Sequence, residues 1–128
     1  MATTTAKITI SSADLTSDTL NMTKTFQLKS TAGAGITQTS GLNRVNGLNS
    51  ITTIFNNSDF SVDEAYLFLH NTDATRTNQV TLTHGSQKIA VLQGGDSIFM
   101  AIDPSAQLIR LTATSAATTV EYQLFHNG

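Results

Sequence analysis

The sequence predicts an all-β protein, built as a single antiparallel β-sandwich of about nine short strands. Three observations lead there. Apolar and polar residues alternate along most of the chain, the signature of half-buried strands. Thr, Ser, Asn and Gln dominate the polar residues while Glu and Lys are scarce, which suits pleated surfaces and turns better than helices. Turn signals then recur at the short intervals of a sandwich or barrel.

In order, Lys7-Ile8-Thr9-Ile10 opens as a strand with Ile8 and Ile10 on one face. Residues 12–23 have room for one short helical turn, with Ser12 or Asp14 as its cap. Phe26 and Leu28 then alternate with Gln27 and Lys29, and Ile51, Thr53 and Phe55 with Thr52 and Ile54. Tyr66-Leu67-Phe68-Leu69 is apolar on both faces, as in a central strand covered on each side. Strands over 79–83 and 88–92 flank a His84-Gly85-Ser86 hairpin turn. Gly94-Gly95-Asp96 turns the chain into 98–102 and Asp103-Pro104-Ser105 turns it again, before strands at 108–112 and 120–124.

The 128 residues fit one domain, 1–128, with no internal boundary. Residues 31–49 hold four of the eight glycines and almost no large apolar side chain, so a long Gly/Asn-rich loop is expected. Such a loop is either mobile surface or an arm that orders against a neighbouring subunit. Residues 1–6 invite the same two readings as an N-terminal arm.

Composition excludes more than it names. Seven basic residues lie scattered against nine acidic ones, so no patch can neutralise several phosphates, and nucleic-acid binding is not expected. No apolar run approaches the roughly 18 residues of a membrane span. The start of the chain lacks the pattern of a signal peptide, so synthesis in the cytoplasm is expected. With no cysteine there is no disulfide, thiolate metal site or cysteine nucleophile. His70, His84 and His126 fit no metal-ligand spacing, and the only glutamates, Glu64 and Glu121, complete no paired-His motif. Asp59, Asp63 and Glu64 form one acidic cluster, which offers oxygen ligands for calcium but lacks EF-hand spacing and reads as solvated. No Gly-x-Ser-x-Gly elbow occurs, and Gly94-Gly95-Asp96 lacks the Lys-Ser/Thr ending of a phosphate loop. No catalytic, cofactor or metal residue is therefore expected, and the chain reads as a non-enzyme.

Partner contact is expected instead at Phe60, the one aromatic in a predicted loop, and at Arg44, Asn46 and Asn49 of the long loop. Exposed, Phe60 would be an interface anchor. Tucked in, it would plug the end of the sandwich, the preferred reading. A carbohydrate- or receptor-binding module is the rival function, with Phe60 and the Asn-rich loops as its surface.

From Glu64 onward the chain resembles small β-sandwich virion proteins of tailed bacteriophages, especially head decoration (cement) proteins and minor capsid components. The resemblance rests on Tyr66-Leu67-Phe68-Leu69-His70-Asn71-Thr72, the hairpin strands 80–82 and 89–92, Gln93-Gly94-Gly95-Asp96-Ser97-Ile98-Phe99, then 108–114 and Val120-Glu121-Tyr122-Gln123-Leu124. It covers about half the sequence. It implies a jelly-roll-like fold, no catalytic residues, and a virion component that binds a capsid shell or copies of itself as a homo-oligomer, a trimer favoured.

Overall fold

The computed structural model describes residues 4–13, 20–29, 36, 38–48, 50–61, 64–113 and 118–126. Eleven strands and one 3-10 turn lie among these residues. The chain divides into two compact units, Met1–Thr37 and Gln38–Gly128.

The second unit is a jelly roll, and its topology follows from nested pairing. Strands β7 (Val80–His84) and β8 (Gln87–Leu92) form the innermost hairpin. Around it β6 (Ala65–Asn71) pairs with β9 (Ser97–Ile102), β5 (Thr52–Phe55) with β10 (Ile109–Ala113), and β4 (Asn43–Leu48) with β11 (Thr118–His126). All four pairs are antiparallel, as in one long hairpin rolled up on itself. The added pairings β7–β10 and β6–β11 sort the eight strands into sheets β5-β10-β7-β8 and β4-β11-β6-β9. This is the eight-stranded double-sheet arrangement of a jelly roll. A two-residue strand β3 (Gln38–Thr39) pairs with the far end of β11.

Period-two side chains from both sheets fill the space between them. Leu67 and Leu69 of β6 and Val120 and Leu124 of β11 meet Val80 and Leu82 of β7 and Ile109 and Leu111 of β10, all fully buried. Each such side chain stabilises the fold by about 1.5–3 kcal/mol through the area it removes from water.

Residues 43–48, expected within a loop, are an edge strand instead. Val45 packs against the core and Leu48 lies in it, but Asn43, Arg44, Asn46 and Gly47 are weak strand formers that hide the pattern. The pairing with β11 slips by one residue, from Leu48↔Thr118 to Val45↔Val120, which leaves a bulge at Asn46-Gly47. Gly47 has φ +65°, the left-handed conformation such a bulge favours for glycine.

The first unit is a ribbon of β1 (Thr4–Ser12) and β2 (Leu20–Leu28), paired antiparallel over nine residues each. Thr4–Ala6, expected in a loose arm, belong to β1, while residues 1–3 lie outside the described residues. The helical turn expected within 12–23 is strand at Ser12 and from Leu20 to Thr23, and residues 14–19 lie outside the description. The Thr4 hydroxyl donates to the Ile36 carbonyl at 3.4 Å, and both Leu28 and Ile36 are buried.

Candidate interaction surfaces

The β1–β2 register decides the chemistry of the ribbon. Residues directly opposite each other share a face. One face therefore carries, row by row, Thr4/Leu28, Ala6/Phe26, Ile8/Lys24, Ile10/Met22 and Ser12/Leu20. The other carries Thr5/Gln27, Lys7/Thr25, Thr9/Thr23 and Ser11/Asn21, without one apolar side chain. Thr9 and Thr23 bring their hydroxyls to 3.5 Å across it. On the apolar face Ile8, Ile10 and Phe26 keep 40%, 47% and 38% of their surface in water. Among the described residues no third strand pairs with the ribbon. Two strands alone are at best marginal in water, and stability needs further strands or a covered face. Completing the burial of these three half-covered side chains would add about 1 kcal/mol each.

A second surface lies on the outer face of the β11-β6-β9 sheet. Residues alternating with the core residues form two aromatic rows, Phe125/Tyr66/Ala101 and Gln123/Phe68/Phe99. A third row, Glu121/His70/Ser97, borders them. Tyr66 and Phe99 stack with centroids 6.0 Å apart and planes at 11°, and Phe99 and Phe125 lie 6.4 Å apart. Paired with β11 on one side and β9 on the other, β6 is central in its sheet, as its sequence predicts, while the rings on its outer face are half-buried. Gln123 Nε2 donates to Thr39 Oγ1 at 2.8 Å along the rim. Beyond the Tyr66/Ala101 row an open recess of about 300 Å³ is lined by Glu64, Tyr66, Ala101, Ile102 and Asp103.

The residues expected at a partner surface are scattered. Phe60 is the end plug and not the exposed anchor. It follows the 3-10 turn Asn57–Asp59, capped by Asn56 Oδ1 accepting from the Ser58 N–H at 3.2 Å. Its ring packs edge-on against Phe55 at 6.0 Å and His126 at 5.3 Å, beside a Phe55–Tyr122 contact of 5.4 Å. Burial in this cluster pushes the Tyr122 phenol up from its ordinary value. The buried His126 Nδ1 has no hydrogen-bond partner there. Arg44 and Asn46 are exposed on β4, and Arg44 pairs with Glu121, a surface ion pair worth little. Asn49 lies outside the described residues. Among the described residues no three His, Asp or Glu side chains group to hold a metal, and Asp63 of the acidic cluster is not described. His84 is engaged through Nε2 with the Asp103 carbonyl at 2.7 Å.

The Asn-Thr and Gly-Gly-Asp segments singled out in the sequence meet in a latch. Asn71 is fully buried, and its Nδ2 donates to the carbonyls of Asn78 at 2.9 Å and Leu92 at 3.1 Å. Its Oδ1 accepts from the Asp73 N–H at 3.1 Å. Its own backbone N–H reaches the Asp96 carbonyl at 2.9 Å, and the Gly95 N–H returns to its carbonyl at 2.8 Å. Arg76 Nη1 closes the latch on the Gly94 carbonyl at 2.9 Å and Asp96 Oδ1 at 2.6 Å.

The Arg76 guanidinium and, second, the Gln93 N–H hold the Asp96 carboxyl below its ordinary value. A depressed carboxyl stabilises the fold above its unfolded pKa of about 3.9 and loses that contribution as pH falls through the folded value. Asp96→Asn should therefore unfold at a slightly lower temperature than the parent at pH 7, and the two curves should converge as pH falls through the lowered folded value. A gap that widens in acid would contradict this sign. The group is at the surface, so the effect is small.

Compared with known protein families, with curated proteins and with solved structures, the chain matches none.

Proposed function

We propose that this chain is a non-enzymatic structural protein of a virus particle, a head decoration or minor capsid component of the tailed-phage kind, that acts through protein–protein contact. The observation that carries the reading is the ribbon: nine paired residues per strand, one wholly polar face, and an apolar face on which Ile8 and Ile10 stay exposed. An apolar sheet face of this kind is an association surface or an aggregation hazard. The jelly roll is a rigid body on which such a contact element can be displayed, although the fold alone names no function. Repeated display on a symmetric assembly multiplies contacts that are individually weak. With so few charges, these contacts should depend little on salt.

The test is the full chain carrying Ile8→Asp and Ile10→Asp. Its native mass by light scattering should fall to that of a monomer, while far-UV circular dichroism and the main unfolding transition stay near those of the parent. An unchanged oligomer would remove the ribbon from the assembly surface.

The carbohydrate- or receptor-binding rival draws support from a different place than Phe60, the Tyr66/Phe68/Phe99/Phe125 rows with Gln123 beside them. Glycan binding abolished by Phe99→Ala, with an unaffected native mass, would favour it.

A further inference from the structure

We propose that Asn46 is a site of spontaneous covalent modification, at which the chain closes a cyclic imide with Gly47 and reopens it as aspartate or isoaspartate.

The chemistry belongs to the Asn-Gly pair. The imide forms when the backbone nitrogen of the following residue attacks the side-chain amide carbon, and a Cβ on that residue obstructs the approach. Glycine has none, so Asn46-Gly47 offers the least hindered form of the reaction. A regular ladder suppresses it, because paired backbone cannot turn its nitrogen toward the side chain.

Here the ladder is interrupted at the reacting pair. Among the described residues the one partner of β4 is β11, and the register passes from Leu48↔Thr118 to Val45↔Val120 with no partner for Asn46 or Gly47. Both residues are exposed. Gly47 has φ +65°, and the space where a Cβ would stand is empty out to 4 Å. Among the described residues no hydrogen bond holds the Asn46 side-chain amide.

In the closing step the Gly47 nitrogen gives its proton to water and bonds to Asn46 Cγ. The Cγ–Nδ2 bond breaks, and Nδ2 leaves as ammonia with a proton taken back from water. Water then adds to one of the two imide carbonyls. Attack at Cγ leaves an ordinary aspartate. Attack at the main-chain carbonyl leaves the backbone running through the side chain, one carbon longer. The sum is an amide and water giving a carboxylate and ammonium, with no other reactant.

The two products differ in what they do to β4. Arg44 and Asn46 alternate with Val45, which packs on the core, so they share the outer face about 6.6–6.8 Å apart. Aspartate sets a second carboxylate beside Arg44, which already pairs with Glu121, and at the surface this weighs little. Isoaspartate inserts its extra carbon between Val45 and Leu48, whose pairings bracket the bulge and whose side chains reach the core.

The experiment is incubation of the full chain at mildly alkaline pH, folded and in denaturant, with mass mapping of the peptide that holds Asn46. Asn46 should convert in the folded chain as it does in denaturant, faster as pH rises, with isoaspartate among the products. Gly47→Ala should slow conversion about tenfold in both states, equivalent to about 1.4 kcal/mol on the barrier. The aged protein should unfold at lower denaturant than an Asn46→Asp chain, which carries the charge without the extra carbon. An Asn46 that stays intact when folded but converts in denaturant would overturn the proposal, as would a rate indifferent to Gly47→Ala.

Discussion

Replacing Asn71 should cost the jelly roll more than any other single polar substitution. Asn71→Ala removes two donors and one acceptor from a fully buried site, leaving the carbonyls of Asn78 and Leu92 and the N–H of Asp73 without their partner. Each buried group left unsatisfied costs about 1–3 kcal/mol, so a loss of about 4 kcal/mol is expected. That is a large part of the 5–15 kcal/mol typical of a whole domain. Asn71→Asp should be worse at neutral pH, because a carboxylate oxygen would face two carbonyl oxygens without a proton to donate. Acid should partly rescue the aspartate variant, since the protonated carboxyl can donate once. Denaturant midpoints at pH 7 and pH 4 measure both effects. A loss under about 1 kcal/mol for Asn71→Ala would show that the latch does not hold the two loops together.

The second large effect is expected at Gly94. A methyl group there would meet the Thr75 carbonyl oxygen at 2.2 Å and that of Asp73 at 2.7 Å, both backbone atoms that cannot swing aside. The loop after β6 would have to retreat, loosening the Arg76 Nη1 bond to the Gly94 carbonyl and the Gly95 bond to Asn71. Gly94→Ala should therefore destabilise by about 3 kcal/mol, at the upper end for an overpacked site. Gly47→Ala makes the contrast: its added carbon meets open space, and only the left-handed backbone resists it, at about 1 kcal/mol. Because Gly94 and Asn71 belong to one latch, the double variant should lose less than the two single losses combined. Equilibrium unfolding of the four proteins closes that cycle. Additive losses would mean that the two residues act separately.

Most of the jelly roll was legible because its strands bury one face each. Val80 and Leu82, Ile109 and Leu111, and Val120 and Leu124 alternate in the sequence as they do between the sheets. The hairpin at Gly85 was marked by its glycine, which has φ +64°. Edge strand β4 was not legible, since only Val45 and Leu48 face inward and a bulge at Gly47 breaks the period between them. The direction of Phe60 depends on the short turn before it, and alternation carries no information about a side chain outside a strand. Ile8 and Ile10 were visible as one face of a strand, as were Phe26 and Leu28. Their union on one side of a ribbon was not, because it is set by the pairing phase of β1 and β2. The aromatic rows were hidden for a similar reason. Tyr66 and Phe68 are neighbours in sequence, but Phe99 and Phe125 reach them only through the pairing of β9 and β11 with β6.

The most direct test of the ribbon as a contact surface between copies is amide hydrogen exchange of the full chain at two concentrations far apart. Core amides of β6 and β7 should be protected alike at both, because their strands lie inside one jelly roll. Amides of β1 and β2 should be protected when the protein is concentrated and exchange rapidly when it is dilute, as a two-stranded ribbon does alone. Protection of β1 and β2 that is the same at both concentrations would contradict the assembly reading at its centre.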